Sequence, residues 1–293
     1  MKTAVVIPAW KGLDQLKKNL PAVLKMGADE IIVVDDASSE NDGEYVKQNF
    51  PQIKVITNQQ NLGFGQTVNK GVSATGADVV ILLNQDVHPQ PNIVKYVTKH
   101  FEKKDVFAVS LAETGYGPSI GIFKNGYISH QPILPRPKET STSFWASGGS
   151  GAFRKSMWDK LGGFDLIYDP GYWEDVDICF RAQKQGWMVL WEPNALVNHE
   201  HETSFGSSKF GVIRKQRLQE RNHLLFNWKN LRDQELIRYH LKSVCLRLIR
   251  HPGYFRIILL AVIKLIKQKN KFQVQKSESK TEREILKYIN LAE

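Results

Sequence analysis

Three short apolar runs, each ending in polar or acidic residues, limit this chain's fold more than any other feature. Residues 3–7 run through Val5, Val6 and Ile7 to Pro8, and residues 30–34 run through Ile31, Ile32, Val33 and Val34 to Asp35 and Asp36. Residues 78–83 run through Val79, Val80, Ile81, Leu82 and Leu83 to Asn84, Gln85 and Asp86. A strand that is apolar at every position needs cover on both faces, which helix-flanked parallel sheets supply. An amphipathic helix over residues 13–26, with a bend at Pro21, lies between the first two runs. A helix over 42–49, a strand over 53–57 and a short helix over 66–73 follow. This alternation predicts an α/β fold with a doubly wound, mostly parallel sheet. Such sheets bind ligands outside the carboxyl ends of their strands, so Asp36 and Asp86 should share one crevice.

The loop before the 66–73 helix, Asn61-Leu62-Gly63-Phe64-Gly65, lets backbone come close to a ligand and offers helix N–H groups to a phosphate. Asp86 has two readings. It could be a carboxylate for a hard divalent cation bridging two phosphates, or a turn residue before His88-Pro89.

The second concentration of chemistry is Trp173-Glu174-Asp175-Val176-Asp177, read as the start of a helix over 175–185 that Gly186 closes. Upstream lies Gly148-Gly149-Ser150-Gly151, read as a flexible loop, and downstream His199 and His201. Acids in a first helical turn are favoured by the macrodipole whether or not they do chemistry. That account covers Asp177, which can also pair with Arg181 one turn on, but leaves Trp173 and the glycine loop unexplained. Cys179 and Phe180 read as core. Residues 112–147, rich in Gly, Pro and Ser, read as loops and a β-ribbon over the sheet. Residues 152–161 read as a helix, and 187–191 as a strand stopped at Glu192-Pro193.

Charge divides the chain. Residues 205–293 carry 20 Lys+Arg against 7 Asp+Glu, a net of +13, while the preceding 204 carry 20 against 23, a net of −3. A body over residues 1–205 and a basic helical extension over 206–293 are therefore expected, with helices at 210–228, 233–249 and 254–269. Most of the last thirty residues read as polar chain, with a short helix at 282–289. The extension suits an anionic membrane surface, a second subunit or the body itself. No nucleic-acid partner is expected, because the body is acidic and the tail's aromatics sit at helical core spacing. The apolar run 257–263 is too short to span a bilayer. Two cysteines, Cys179 and Cys245, suit a reducing compartment, and no leader precedes the first strand.

Taken together, these residues resemble the family 2 inverting glycosyltransferases, and in particular bacterial rhamnosyltransferase-like members. The resemblance covers roughly residues 3–230 in consistent order. Its pieces are Val6-Ile7-Pro8, Val33-Val34-Asp35-Asp36-Ala37-Ser38-Ser39, Asn61-x-Gly63, Asn69-x-Gly71, Leu83-Asn84-Gln85-Asp86, Gly149 with Arg154, Gly162-Gly163-Phe164-Asp165, Trp173-Glu174-Asp175-Val176-Asp177 with Arg181, and His199. It implies a GT-A nucleotide-sugar-binding fold. It also implies a nucleoside-diphosphate-sugar donor held by Pro8, Ala9, Trp10, Asp36, Asn61, Gly63, Asn84, Gln85, Asp86, Gly149 and Trp173. Mg²⁺ or Mn²⁺ would sit on Asp86 and His199, although Asn84 replaces the first acid of the family's metal motif. His201 is expected to play a surface or core role. Asp175 would be the catalytic base, with Glu174 beside it orienting hydroxyls. The acceptor would be a glycan or a polyprenyl-diphosphate-linked sugar in surface polysaccharide synthesis, used by a cytoplasmic enzyme peripheral to the inner membrane face. A nucleotidyltransferase on a similar platform competes, but Pro8-Ala9-Trp10-Lys11-Gly12 poorly matches the glycine- and lysine-rich loop it needs.

Overall fold

The computed structural model describes residues 1–200, 209–268 and 279–291. The amino-terminal part alternates as expected: β1 (Thr3–Ala9), α1 (Leu13–Val23), β2 (Glu30–Asp35), α2 (Asp42–Asn49), β3 (Lys54–Thr57), α3 (Phe64–Ser73), β4 (Val79–Leu83), β5 (Val87–Pro89) and α4 (Ile93–Thr98). Next come β6 (Val106–Glu113), β7 (Ser119–Lys124), β8 (Tyr127–Pro132), β9 (Ser141–Thr142), β10 (Ser150–Arg154), α5 (Lys155–Leu161), α6 (Glu174–Lys184) and β11 (Met188–His199). The chain ends with α7 (Lys209–Asn230), α8 (Gln234–Arg250), α9 (Phe255–Gln268), α10 (Glu282–Ile285) and β12 (Tyr288–Ile289).

The main sheet has the order β3-β2-β1-β4-β10-β6-β11-β5, with β9 on β11. Strands β3, β2, β1, β4, β6 and β11 run one way, and β10, β5 and β9 run against them. One core cluster lies on each face, around Val5, Val33 and Ile81 on one side and Val6, Ile32 and Val80 on the other. This two-sided burial is why the strands are apolar at every position. Close packing also explains a motif glycine: a Cβ on Gly71 in α3 would collide with the Val6 and Val34 side chains.

Four local expectations change. Residues 150–154 form a strand, not the start of a helix, because they are wedged antiparallel between β4 and β6. β11 does not stop at Pro193; its register on β6 shifts between Glu192 and Leu196, which carries the proline as a bulge and extends the strand to His199. The β7–β8 ribbon does not lie over the main sheet. It pairs with β12 in a separate sheet and shares a core with α6, α7 and α8 through Phe123, Ile128, Phe180, Leu224, Phe226 and Val244. Residues 279–291 dock as well. Glu282 is buried against Lys184 at 3.0 Å, and β12 pairs in parallel with β7.

Candidate active site

The sheet gathers the polar strand ends at one edge. β1 ends at Ala9, β2 at Asp35, β4 at Leu83, β6 at Glu113 and β11 at His199, while antiparallel β10 begins there at Ser150. A cleft of about 1050 Å³ opens along this edge. Every site residue expected from the sequence lines it: Pro8, Ala9, Trp10, Asp36, Asn61, Gly63, Asn84, Gln85, Asp86, Gly149, Trp173, Glu174, Asp175 and His199. His201 lies outside the described residues.

At the strand-end side, side chains organise loops as well as facing the cleft. Asp36 accepts hydrogen bonds from the Leu62 and Gly63 amides at 2.8 and 3.0 Å, fixing the loop that opens α3. The Gln85 amide grips the Trp10 backbone twice, accepting from its N–H at 2.9 Å and donating to its carbonyl at 3.2 Å. The Asn84 N–H donates to the Gly149 carbonyl at 2.9 Å, and a Cβ on Gly149 would lie 2.5 Å from Asn84 Nδ2. The glycine is there for this close approach, a tighter role than the loop flexibility expected from sequence.

His199 Nε2 lies 3.1 Å from Asp86 Oδ1, and its Nδ1 lies 3.1 Å from Glu113 Oε2. Burial alone would lower the imidazole, but the hydrogen bonds and charges of Asp86 and Glu113 prevail and push it up to about 9. Glu113 was missed in the sequence, although it closes the apolar run of β6. A carboxylate on the far nitrogen of a histidine is the usual support of a metal-binding imidazole. Among the described residues no three His, Cys, Asp or Glu side chains form a ready cage.

A second part of the lining starts with backbone strain. Tyr172 and Trp173 have φ values of 74° and 80°, unusual for aromatic residues. Buried Asn222 of α7 holds them, donating to the carbonyls of Tyr168, Gly171 and Tyr172 at 2.6, 2.8 and 2.9 Å. Arg221 beside it donates to the Asp169 carbonyl at 2.8 Å. The Trp173 ring stacks on His223, with centroids 4.2 Å apart and planes 10° apart.

The three acids then separate. Asp177 is fully buried and takes Arg181 Nε at 2.7 Å, Lys229 Nζ at 2.9 Å, Tyr168 Oη at 2.9 Å and Asn230 Nδ2 at 2.8 Å. Burial would raise its carboxyl, but Lys229 and Arg181 hold it well below the usual carboxylate range. Glu174 is 5% exposed, and its Oε2 has no hydrogen-bond partner among the described residues. Burial, then the charge of Asp175, pushes its carboxyl well up. Asp175 is raised by burial too, but it accepts the Gly148 and Val176 amides at 3.0 and 2.8 Å, which favour its ionised form.

The family model described as glycosyl transferase family 2 matches residues 4–161, more than half of the chain. The pre-mycofactocin glycosyltransferase of Mycobacterium tuberculosis is 30% identical over 213 residues, which cover 68% of this chain and 43% of that protein. The chain thus spans less than half the length of that relative. The N-acetylglucosaminyl-diphospho-decaprenol L-rhamnosyltransferase of the same organism is 25% identical over 211 residues, covering 60% of this chain and 68% of that protein. Among solved structures, GalNAc-T7 with UDP, GalNAc and Mn²⁺ superposes with a TM-score of 0.64 at 17% identity, covering 87% of this chain and 57% of that one. At that identity the likeness shows the fold, which is GT-A.

Proposed function

The chain belongs to glycosyl transferase family 2, and on that premise we propose that it is an inverting transferase with Asp175 as its base. The donor is a nucleoside-diphosphate sugar, dTDP-rhamnose or a UDP-hexose. The acceptor is a hydroxyl of a glycan or of a polyprenyl-diphosphate-linked sugar in surface polysaccharide synthesis. The rhamnosyltransferase among its relatives supports the lipid-linked form. Residues 1–205 would carry the chemistry and 206–293 would hold the enzyme at the cytoplasmic membrane face.

The observation that carries the reading is that the Asp86–His199 pair and the Glu174–Asp175 pair line one cleft. A diphosphate at the strand ends would meet the Gly63 loop, the start of α3, Asp86 and His199. Mg²⁺ or Mn²⁺ on Asp86 and His199 would neutralise charge on the leaving diphosphate. Asp175 accepts the proton of the acceptor hydroxyl as that oxygen bonds to the anomeric carbon. The bond from that carbon to the diphosphate oxygen breaks, and its electron pair leaves with the diphosphate. The raised Asp175 carboxyl is closer in basicity to neutral pH than an exposed aspartate. Glu174, its carboxyl raised by burial and by Asp175, would hydrogen-bond a sugar hydroxyl.

Nucleotide-sugar binding and turnover, with and without Mn²⁺, test this. Asp175→Asn is expected to keep donor affinity within about twofold and lose about 10²–10⁴-fold in transfer. Wild-type transfer by that variant would overturn the base assignment.

A further inference from the structure

One face of α9 is apolar yet turned to solvent. At about 100° per residue, Phe255, Leu259, Val262, Ile263 and Ile266 share an arc of roughly a quarter to a third of the helix circumference. They are 56%, 45%, 38%, 39% and 68% exposed. The opposite side, with Ile257 and Ala261 at 5% and 0%, packs on α7 and on the Leu166–Tyr168 turn. The helix therefore has two apolar sides, and the core covers one of them. Exposed Arg256 and Lys267 border the open side along one edge, with exposed Leu260 just beyond them, and α9 has no acid. Ile249, 75% exposed, ends α8 just before the turn into α9.

We propose that this stripe docks on an anionic lipid leaflet, with the five apolar side chains in the acyl boundary and Arg256 and Lys267 at the headgroups. A basic-flanked apolar stripe on a helix suits an interfacial position. A second copy would set like charges against each other, which disfavours a self-contact. The segment after α9, residues 269–278, has three lysines and only Phe272 and Val274 as large apolar groups, a poor match for the stripe but more charge for a leaflet. The turn under α9 leads directly into Pro170, Gly171 and Trp173 of the cleft wall. Docking by α9 would therefore hold the cleft beside the leaflet. This deepens the lipid-linked-acceptor reading and rests on it for its purpose.

Sedimentation with phosphatidylglycerol–phosphatidylcholine vesicles, with pure phosphatidylcholine as control, tests the docking. The full chain is expected to sediment with the anionic vesicles and to be released by salt. Leu259→Glu with Ile266→Glu should weaken that binding at least tenfold while leaving the circular dichroism melt and nucleotide-sugar hydrolysis in solution unchanged. Arg256→Glu with Lys267→Glu should lose the salt-sensitive part. Wild-type sedimentation by the apolar-stripe variant would overturn the proposal. So would a wild-type chain left in the supernatant, or a dimer that this variant makes monomeric. Hydrolysis is read without lipid, so a failed transferase reading shows there and a failed docking reading shows only on vesicles.

Discussion

The first turn of α6 has two sides, built from the same residue types under opposite electrostatics. On the inner side Asp177 has two cations and two neutral donors and is held ionised. On the cleft side Glu174 is buried and Asp175 half-buried, but no cation is bonded to them among the described residues, and both carboxyls are raised. A buried acid with its charges matched serves the fold. A buried acid left short of partners costs stability and is ready to bind or move a proton.

The contrast can be broken at four points. The largest effect should come from Asp177→Ala, which strands Lys229 and Arg181 in the interior. A loss of about 3–5 kcal/mol in denaturant unfolding is expected, and a loss under 1 kcal/mol would show that the inner side is not what holds α6. Asn222→Ala should cost about 2–3 kcal/mol, because three backbone carbonyls lose their donor and the strained Tyr172–Trp173 backbone loses its clamp. It should also lower kcat, since the acids follow Trp173 directly. A stability loss with kcat unchanged would separate the clamp from the site.

The third point is pH. His223, stacked on Trp173, is lowered by burial to about 4, against a hydrogen bond to the Ile128 carbonyl. Its neutral form is the folded one, so its contribution is complete above about 6.5 and fades as pH falls toward 4, by up to about 2–3 kcal/mol. His223→Gln should flatten that part of the stability profile measured by thermal melts. The smallest effect is expected from Glu174→Gln. A carboxyl raised in the folded state costs stability once pH exceeds its unfolded value, so the amide should gain about 1 kcal/mol at pH 7 while slowing transfer. A destabilised variant would mean that Glu174 already has its charge matched.

The strand ends were legible because continuous apolar runs have one structural use, and the acids closing them fall at one sheet edge. β10 was hidden because Ser150-Gly151-Ala152-Phe153-Arg154 carries no period and gains its strand form from β4 and β6. The partnership of Lys229 with Asp177 spans 52 residues, and in the sequence Lys229 is one of the 20 basic residues of the extension, just past the helix expected at 210–228. Glu174 and Asp175 are separated in the sequence by the resemblance alone, and the structure adds the Gly148 amide, which points at Asp175. The basic extension is legible from charge, but which side of α9 is covered becomes visible only once α7 is in place.

The β7–β8 ribbon has a consequence for how relatives of this chain can diverge. It is tied to the helices by buried Phe123 and Ile128 and by hydrogen bonds that include Ile128 N–H to Asn227, His223 to the Ile128 carbonyl and His240 to the Gly126 carbonyl. Through His130 it forms part of the cleft wall, yet it shares no strand pairing with the main sheet. Its turn is fixed, because Gly126 packs against Ser243 of α8, but its far end, where Gln131 and Pro132 are exposed, can change side chains while Asp86, His199 and Asp175 keep their supports. The lining of the cleft at His130 can thus diverge by changes in this one segment, with Asp86, His199 and Asp175 left in register.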